Sequence, residues 1–566
     1  MPIRLTGLNS GLDTESLVSA LVSAYRTKTE KYTKAQTKLS WKQTAWSELN
    51  KKVNTFYKSL DALRFTSAYK TKKVNVSDAT KVNVTATEGA VNGTQSLEVK
   101  ETAKAGYLTG ANLGSSVRGG TKLSELGIED GSTISVTVKG RTTDMKLSGN
   151  MTVDDLTNAF KDAGIKASFD SANHRFFLSA GDSGKENDFS LTAANADGME
   201  ALKKLGLNAK SQANIENYEN FAKYALDSAG NSYYQKDAAG NLLKDASGNY
   251  LVNSDVQNGT TTYDAALTKQ NIEDIRAEIY DKADENTELS SALAYADAYK
   301  GVQDTKDKFT QNGGTTQEWD LLNKLINRDD ADSIFVAEDG TAYTITDDGS
   351  GGYTVKDDSG NEITGATVNK IGSGERYELT IAGSKVNVTN GAIRAAELEV
   401  KAGLGTYDAA NNEYQMDGAA ISNLRNNLNT VKDYETDATP GTAAAQKVAD
   451  IQAAYANGTL DTLTKNWKDT ISANKEFLDE NSVLANDTET PEMLQDKVGM
   501  AVEALDHPDY SKGSVRIDGT DAVILLNGAE FTSSSNNFEI NGLSINTLAK
   551  TDGEISITTD NDVQGL

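Results

Sequence analysis

Cysteine is absent from the 566 residues, histidine occurs twice and proline four times. Without thiols, disulfides, thiolate catalysis and cysteine-based zinc sites are excluded. His174 lies in strand-like sequence and His507 stands beside Pro508, in different segments, and no nucleophile-elbow or oxyanion pattern flanks any serine. No Ser/His/Asp triad is therefore expected, and the two histidines read as ordinary surface residues. Long apolar runs are also missing: stretches such as Ala522–Leu526 are strand-sized and could not span a bilayer. Residues 1–14 lack the basic, apolar and small-residue order of a cleaved signal peptide, so secretion is expected to use no cleaved leader. Hydrophobic residues make up 37% of the chain and the mean hydropathy is −0.51, which fits three or four modestly cored domains.

What the chain does carry, near its start, is a heptad. Val18, Tyr25, Tyr32, Leu39, Trp46, Val53 and Leu60 fall at an unbroken spacing of seven, and Leu21, Ala35, Leu49, Phe56 and Leu63 stand three positions after members of that series. This is a coiled-coil seam, and with no Gly or Pro between Leu12 and Phe65 it predicts one helix of roughly 45 residues, far longer than a small domain's core. Lys28 and Lys42 occupy two of the expected apolar slots, so the helix is expected to be marginal until a partner covers it. No second long heptad stretch follows, which leaves another subunit or a segment outside this chain as the partner.

Charge is divided unevenly. Residues 1–73 carry 14 Lys/Arg against 5 Asp/Glu, whereas the whole chain is −26, so the body beyond the rod is acidic. The rod's cations are interspersed with the seam instead of clustered, and the acidic body would repel phosphates. A flank that pairs with acidic neighbours is expected, and no nucleic acid partner.

Beyond the rod the pattern changes to strands. Val74-Asn75-Val76, Val82-Asn83-Val84-Thr85 and Ser96-Leu97-Glu98-Val99 alternate, and residues 515–557 contain further short strands punctuated by Asp518-Gly519, Asn527-Gly528, Asn541-Gly542 and Asp552-Gly553. These two ends are expected to form one split β domain, residues 73–112 plus 511–566. Residues 113–208 read as an inserted α+β module with a helix over 152–163, capped by Thr152 and closed by Gly164. Residues 209–510 read as a large acidic insertion of mixed helix and strand, with helices near 265–299, 419–434 and 443–478 and a strand near 398–401. The expected fold class is thus multidomain α+β, led by the coiled-coil leg of residues 1–72.

Within the insertion Asp-x-x-Gly-Asn recurs at Asp227, Asp237, Asp245 and Asp357. Calcium loops also space Asp and Gly closely, but these lack the further carboxylates and bidentate Glu such loops need. Plain turns, in which Asp caps its own backbone, are expected, with no metal, no cofactor and no catalytic residue. Tyr233, Tyr234, Tyr250, Tyr343 and Tyr353 near these turns suit exposed, adhesive strand surfaces.

The opening of the chain, with Ser10-Gly11-Leu12-Asp13 leading into the helix, resembles the start of the bacterial flagellar filament cap family, also called flagellar hook-associated protein 2. A second block is similar to the same family: Asp521-Ala522 through Leu526-Asn527-Gly528, then Phe531-Thr532-Ser533-Ser534-Ser535-Asn536, Ile540-Asn541-Gly542-Leu543 and Ile555 to Asp560. Members of that family continue past this block as a helical return of the rod, whereas this chain stops at Leu566, so a truncated chain is expected.

The resemblance implies a structural, non-enzymatic protein, exported unfolded and placed at the distal filament tip, where it closes the tip and promotes flagellin polymerisation for elongation and motility. It further implies a ring-shaped homo-oligomer of roughly four to six copies, with flagellin, hook-filament junction proteins and an export chaperone as partners. The interface expected from the heptad is the leg: Val18, Leu21, Tyr25, Tyr32, Leu39, Trp46, Leu49, Val53, Phe56, Leu60 and Leu63. A surface adhesin is the alternative reading, prompted by the Tyr-rich acidic insertion.

Overall fold

The computed structural model describes residues 14–63, 71–372 and 375–562. Its first element is a single helix, Thr14–Leu63, of 50 residues, which at about 1.5 Å per residue extends roughly 75 Å. The helix is poorly supported from within. Hydroxyls of Thr27, Thr29, Thr33, Thr37, Thr44 and Thr55 each donate to the carbonyl four residues earlier, and β-branched residues bonded in this way weaken a helix.

Strands from the two distant parts of the chain then interleave. Lys72–Val76 pairs antiparallel with Ile555–Asn561, which pairs with Gly93–Glu101, itself joined to Ala522–Leu526 and then Ala529–Ser533. A second sheet orders Val82–Ala86, Leu543–Thr547 and Asn537–Ile540. Both sheets feed one core in which Val82, Leu97, Val99, Ile524, Ile545 and Ile557 are buried. Asn527-Gly528 and Asn541-Gly542 close two-residue hairpins with positive φ at both positions, as a type I′ turn requires. Asp518-Gly519 and Asp552-Gly553 do not make hairpins: the strands on either side of each belong to different sheets, so these dipeptides are crossovers.

The strand Val515–Ile517 joins a four-stranded sheet with Tyr107–Thr109, Arg175–Ser179 and Lys166–Asp170. Beside it Thr133–Val138 is flanked by Arg141–Lys146 and Phe189–Ala193. The helix Val153–Asp162 starts at Thr152 with a reciprocal capping box to Asp155. Helix Gln212–Ala222 runs along the outer strand Phe189–Ala193 and satisfies its edge: Leu191 donates to Asn214 at 2.8 Å and Ala193 to the Tyr218 hydroxyl at 3.1 Å.

By compactness the chain divides into Met1–Thr268 with Gln495–Leu566, and Lys269–Leu494. Residues 209–268 and 495–510 therefore fall in the first unit. The second unit holds a six-stranded antiparallel sheet, a two-stranded ribbon and most of the helix Ala265–Gln311. That helix has 47 residues, yet it buries Leu289, Ala292, Tyr295 and Ala296 in a core of its own unit. Leu398–Lys401 is the last turn of the helix Gly391–Lys401, not a strand: Asn390 caps its amides, and Ala395, Leu398 and Ala402 are buried at helical spacing. The helix expected over 443–478 is two, Ala443–Ala456 and Leu460–Glu480, parted at Gly458 with φ of 70°. Among the described residues no helix is long and apolar enough to cross a membrane.

Candidate functional site

The heptad residues form a continuous exposed stripe. Every residue from Val18 to Leu60 is exposed, including Leu21, Leu39, Trp46, Val53 and Phe56, with between 50% and 70% of each seam side chain open to solvent. Burying a side chain of this size contributes about 1.5–3 kcal/mol, so the stripe is a large unused driving force. Its period supplies a second argument. A strict seven-residue repeat drifts by about 20° per heptad on a straight helix, and six intervals stay on one face only when the helix supercoils left-handedly around another.

Val22 and Tyr57, exposed by 48% and 64%, lie outside the two heptad series and widen the apolar face, whereas Trp41, exposed by 71%, stands on the side of the helix away from it. Lys28 and Lys42 are exposed within the stripe. The ion pair Lys34–Glu30, at 4.0 Å with both side chains mostly in water, lies off the seam and adds little. Ser10, Gly11, Leu12 and Asp13, and the side chain of Leu63, lie outside the described residues.

A second exposed apolar surface was not legible in the sequence. Tyr107, Phe177, Val515 and Ile517, exposed by 53%, 40%, 57% and 52%, share the outer face of the four-stranded sheet: Ile517 stands opposite Tyr107, and Val515 and Phe177 both stand opposite Thr109. Three separate chain segments build it, and in each the alternation looks like that of any half-buried strand. The strand is tied down from behind by Arg516, which is almost fully buried, pairs with Asp188 at 2.7 Å and donates to the Phe189 carbonyl. A Cβ on Gly106 would stand 1.7 Å from Asp188 Oδ1, so only glycine fits there.

The Asp-x-x-Gly-Asn segments are turns. Asp237 and Asp245 each accept from backbone amides two and four residues ahead at 2.8–2.9 Å, while Gly240 and Gly248 take φ of 82° and 87°. The hydrogen bonds from these amides and from Asn241 and Asn249 hold both carboxyls below their usual range. Among the described residues no group of three or more His, Asp or Glu is placed to hold a metal ion. Tyr233 and Tyr234 are buried, contrary to the adhesive surface expected: both hydroxyls donate to Asp506, at 2.8 and 2.9 Å, and their rings meet edge to face. Residues this far apart in sequence met only through the fold. His174 sits in a tight turn at φ of 55° with its Nδ1 against Arg118 and the Val117 carbonyl.

Residues 10–106 match the family model described as the flagellar hook-associated protein 2 N-terminus. That span includes the Ser10–Asp13 opening, the rod and the first strands of the split sheets. Over 245 residues the chain is 26% identical to the A-type flagellar hook-associated protein 2 of Pseudomonas aeruginosa, a match covering 39% of this chain and 49% of that one. The chain thus spans about half the length of the curated relative it matches. Among solved structures, the flagellar cap protein FliD of Helicobacter pylori aligns with 83% of this chain and 98% of its own, at 10% identity and a TM-score of 0.21. The D1-D2-D3 domains of FliD from Escherichia coli align with 30% of this chain and 48% of their own, at 20% identity and a TM-score of 0.22.

Proposed function

We propose that this chain is a structural component of the bacterial flagellum that caps the distal end of the filament and promotes flagellin polymerisation there, with the helix Thr14–Leu63 as its assembly leg. The observation that carries this reading is the 50-residue helix whose apolar heptad stripe is entirely exposed, lying within the span that matches the family model. Such a stripe has no use in an isolated molecule and a direct one in a multi-chain assembly, where covering it converts a marginal helix into a rigid rod. In this reading copies of the chain form a ring, the legs contact flagellin, and the acidic unit Lys269–Leu494 faces the medium. Export, with a chaperone holding the stripe, precedes assembly in this reading. The role is mechanical and not enzymatic. Burial of Tyr233 and Tyr234 removes two of the five tyrosines that prompted the adhesin alternative.

The test is the double substitution Val53→Asp with Leu60→Asp in the full chain, expressed in a strain lacking its own cap protein. Two carboxylates in the seam should prevent the leg from being covered, because burying an unpaired charge is strongly unfavourable. Motility should be lost while export and the circular dichroism of the body are unchanged. Normal swimming with capped filaments would refute the proposal.

A further inference from the structure

A buried ion pair in the first unit brings together the two groups of an amide. Asp144 stands on the strand Arg141–Lys146, and Lys497 on the helix Pro491–Asp506, two residues after the chain re-enters that unit at Gln495. The Lys497 Nζ lies 2.9 Å from Asp144 Oδ2, and the two side chains are only 4% and 13% exposed. Despite that distance, Oδ2 accepts no hydrogen bond of acceptable direction from any described residue. The amine is therefore close without the alignment of a hydrogen-bonded ion pair. Oδ1 is held separately: Ser135, buried directly opposite on the strand Thr133–Val138, donates its hydroxyl to it at 2.6 Å. The buried ring of Phe221 lies over the lysine, its centroid 5.6 Å from Nζ.

We propose that Lys497 and Asp144 condense into an intramolecular amide that staples the helix Pro491–Asp506 to this sheet. The ammonium hands one proton to Oδ2, which leaves an amine facing a carboxylic acid. The nitrogen lone pair attacks Cγ, and the negative charge that gathers on Oδ1 is met by the Ser135 hydroxyl. A second proton passes from nitrogen to the Oδ2 hydroxyl, the Cγ–Oδ2 bond breaks, and water leaves. One ammonium and one carboxylate thus become one amide and one water, with no oxidant or second protein involved. Two properties of the site favour the step. Folding has already brought the reacting groups into contact, so little further ordering is needed. The product also replaces two charges held away from water by a neutral group, and buried charges are costly even when paired. Arg516 and Asp188, also buried and 2.7 Å apart, offer no such reaction, because a guanidinium keeps its proton. In a chain without cysteine the bond closes the loop from residue 144 to residue 497, across the whole of Lys269–Leu494. Tension that enters the first unit at Gln495 then meets a covalent joint within two residues.

Intact mass of the folded, purified 566-residue chain, measured after denaturation, is the test. The chain should be lighter than its sequence by one water. Tryptic digestion should yield a branched peptide that joins the segment holding Asp144 to the segment holding Lys497, uncut after Lys497. Lys497→Arg and Asp144→Ala should keep their full mass, and Asp144→Asn should close the same bond with loss of ammonia in place of water. Ser135→Ala should slow the loss of water during refolding by about a hundredfold; an unchanged rate would overturn its assignment as the oxyanion donor. Full mass in the unaltered chain, with Asp144 and Lys497 recovered in separate peptides and circular dichroism showing a folded protein, would mean an ion pair only and overturn the proposal. Loss of water that persists in Lys497→Arg would place the dehydration elsewhere and overturn it equally. The decisive measurement is made on the unaltered chain, so a variant that fails to fold does not remove it.

Discussion

Tyr218 shows how much one side chain can carry. Its hydroxyl accepts from the Ala193 amide at the edge of a sheet, and burial pushes its pKa up to about 12. Because the neutral phenol is the form the fold accepts, the raised value means stability that is complete below about pH 10, the unfolded value, and is lost as pH rises through 12. Two pKa units correspond to about 2–3 kcal/mol. Tyr218→Phe should therefore cost about 1–2 kcal/mol at pH 7, for the orphaned amide. The deficit relative to the unaltered chain should shrink between pH 10 and 12; urea titrations at pH 7, 9, 10.5 and 11.5 measure it. A deficit that stays constant with pH would place the ionising group elsewhere.

At the scale of elements the two long helices make an instructive pair. Thr14–Leu63 and Ala265–Gln311 differ by three residues in length, yet one exposes its whole apolar stripe and the other buries Leu289, Ala292, Tyr295 and Ala296. The length of the series distinguishes them: the seam of the first runs through seven residues at an unbroken spacing of seven, whereas the four residues buried here in the second follow one another at three, three and one. The first should consequently behave as a helix held by little more than its own backbone. In hydrogen exchange on the isolated chain, amides from Leu39 to Leu60 should exchange within seconds, while those from Leu289 to Ala296 are protected by orders of magnitude more. Protection throughout the leg in a monomeric sample would contradict this. The same contrast explains Leu398: its neighbourhood alternates weakly enough to suggest a strand, but the Asn390 cap and the buried helical spacing of Ala395, Leu398 and Ala402 decide for a helix.

For the whole molecule, the boundaries that matter for engineering are those of packing and not of composition. Residues 209–268 share the acidic, turn-rich texture of the insertion, yet Tyr218 satisfies a sheet edge and Tyr233 and Tyr234 hold Asp506, all within the first unit. Excision of 269–494 with a short Gly/Ser joint should leave a protein that unfolds cooperatively, because the crossings lie close: Lys269 pairs with Glu492 at 2.5 Å, an ion pair that holds the Glu492 carboxyl down at about 2. Excision of 209–510 should give an unstable or aggregating product, since it strips the edge strand and removes the tyrosine cluster. Thermal unfolding followed by circular dichroism separates the two outcomes, and equal stability of both deletions would disprove the assignment.

The sequence by itself determined the long helix Thr14–Leu63, because a period of seven over 43 residues without Gly or Pro admits one local conformation. It also determined the turns, where Asp, Gly and Asn bond to their own backbone within five residues. The Thr152 cap and the Asn527-Gly528 and Asn541-Gly542 hairpins were legible for the same reason: their hydrogen bonds are local. What the tertiary structure decided is everything that joins distant residues. Which strands share a sheet set Asn527-Gly528 apart from the crossover at Asp518-Gly519, and pairing with Asp506 turned Tyr233 and Tyr234 inward. The apolar face of Tyr107, Phe177, Val515 and Ile517 exists only where three segments meet. No local pattern encodes such meetings, since alternation records that one face of a strand is buried and never against which neighbour.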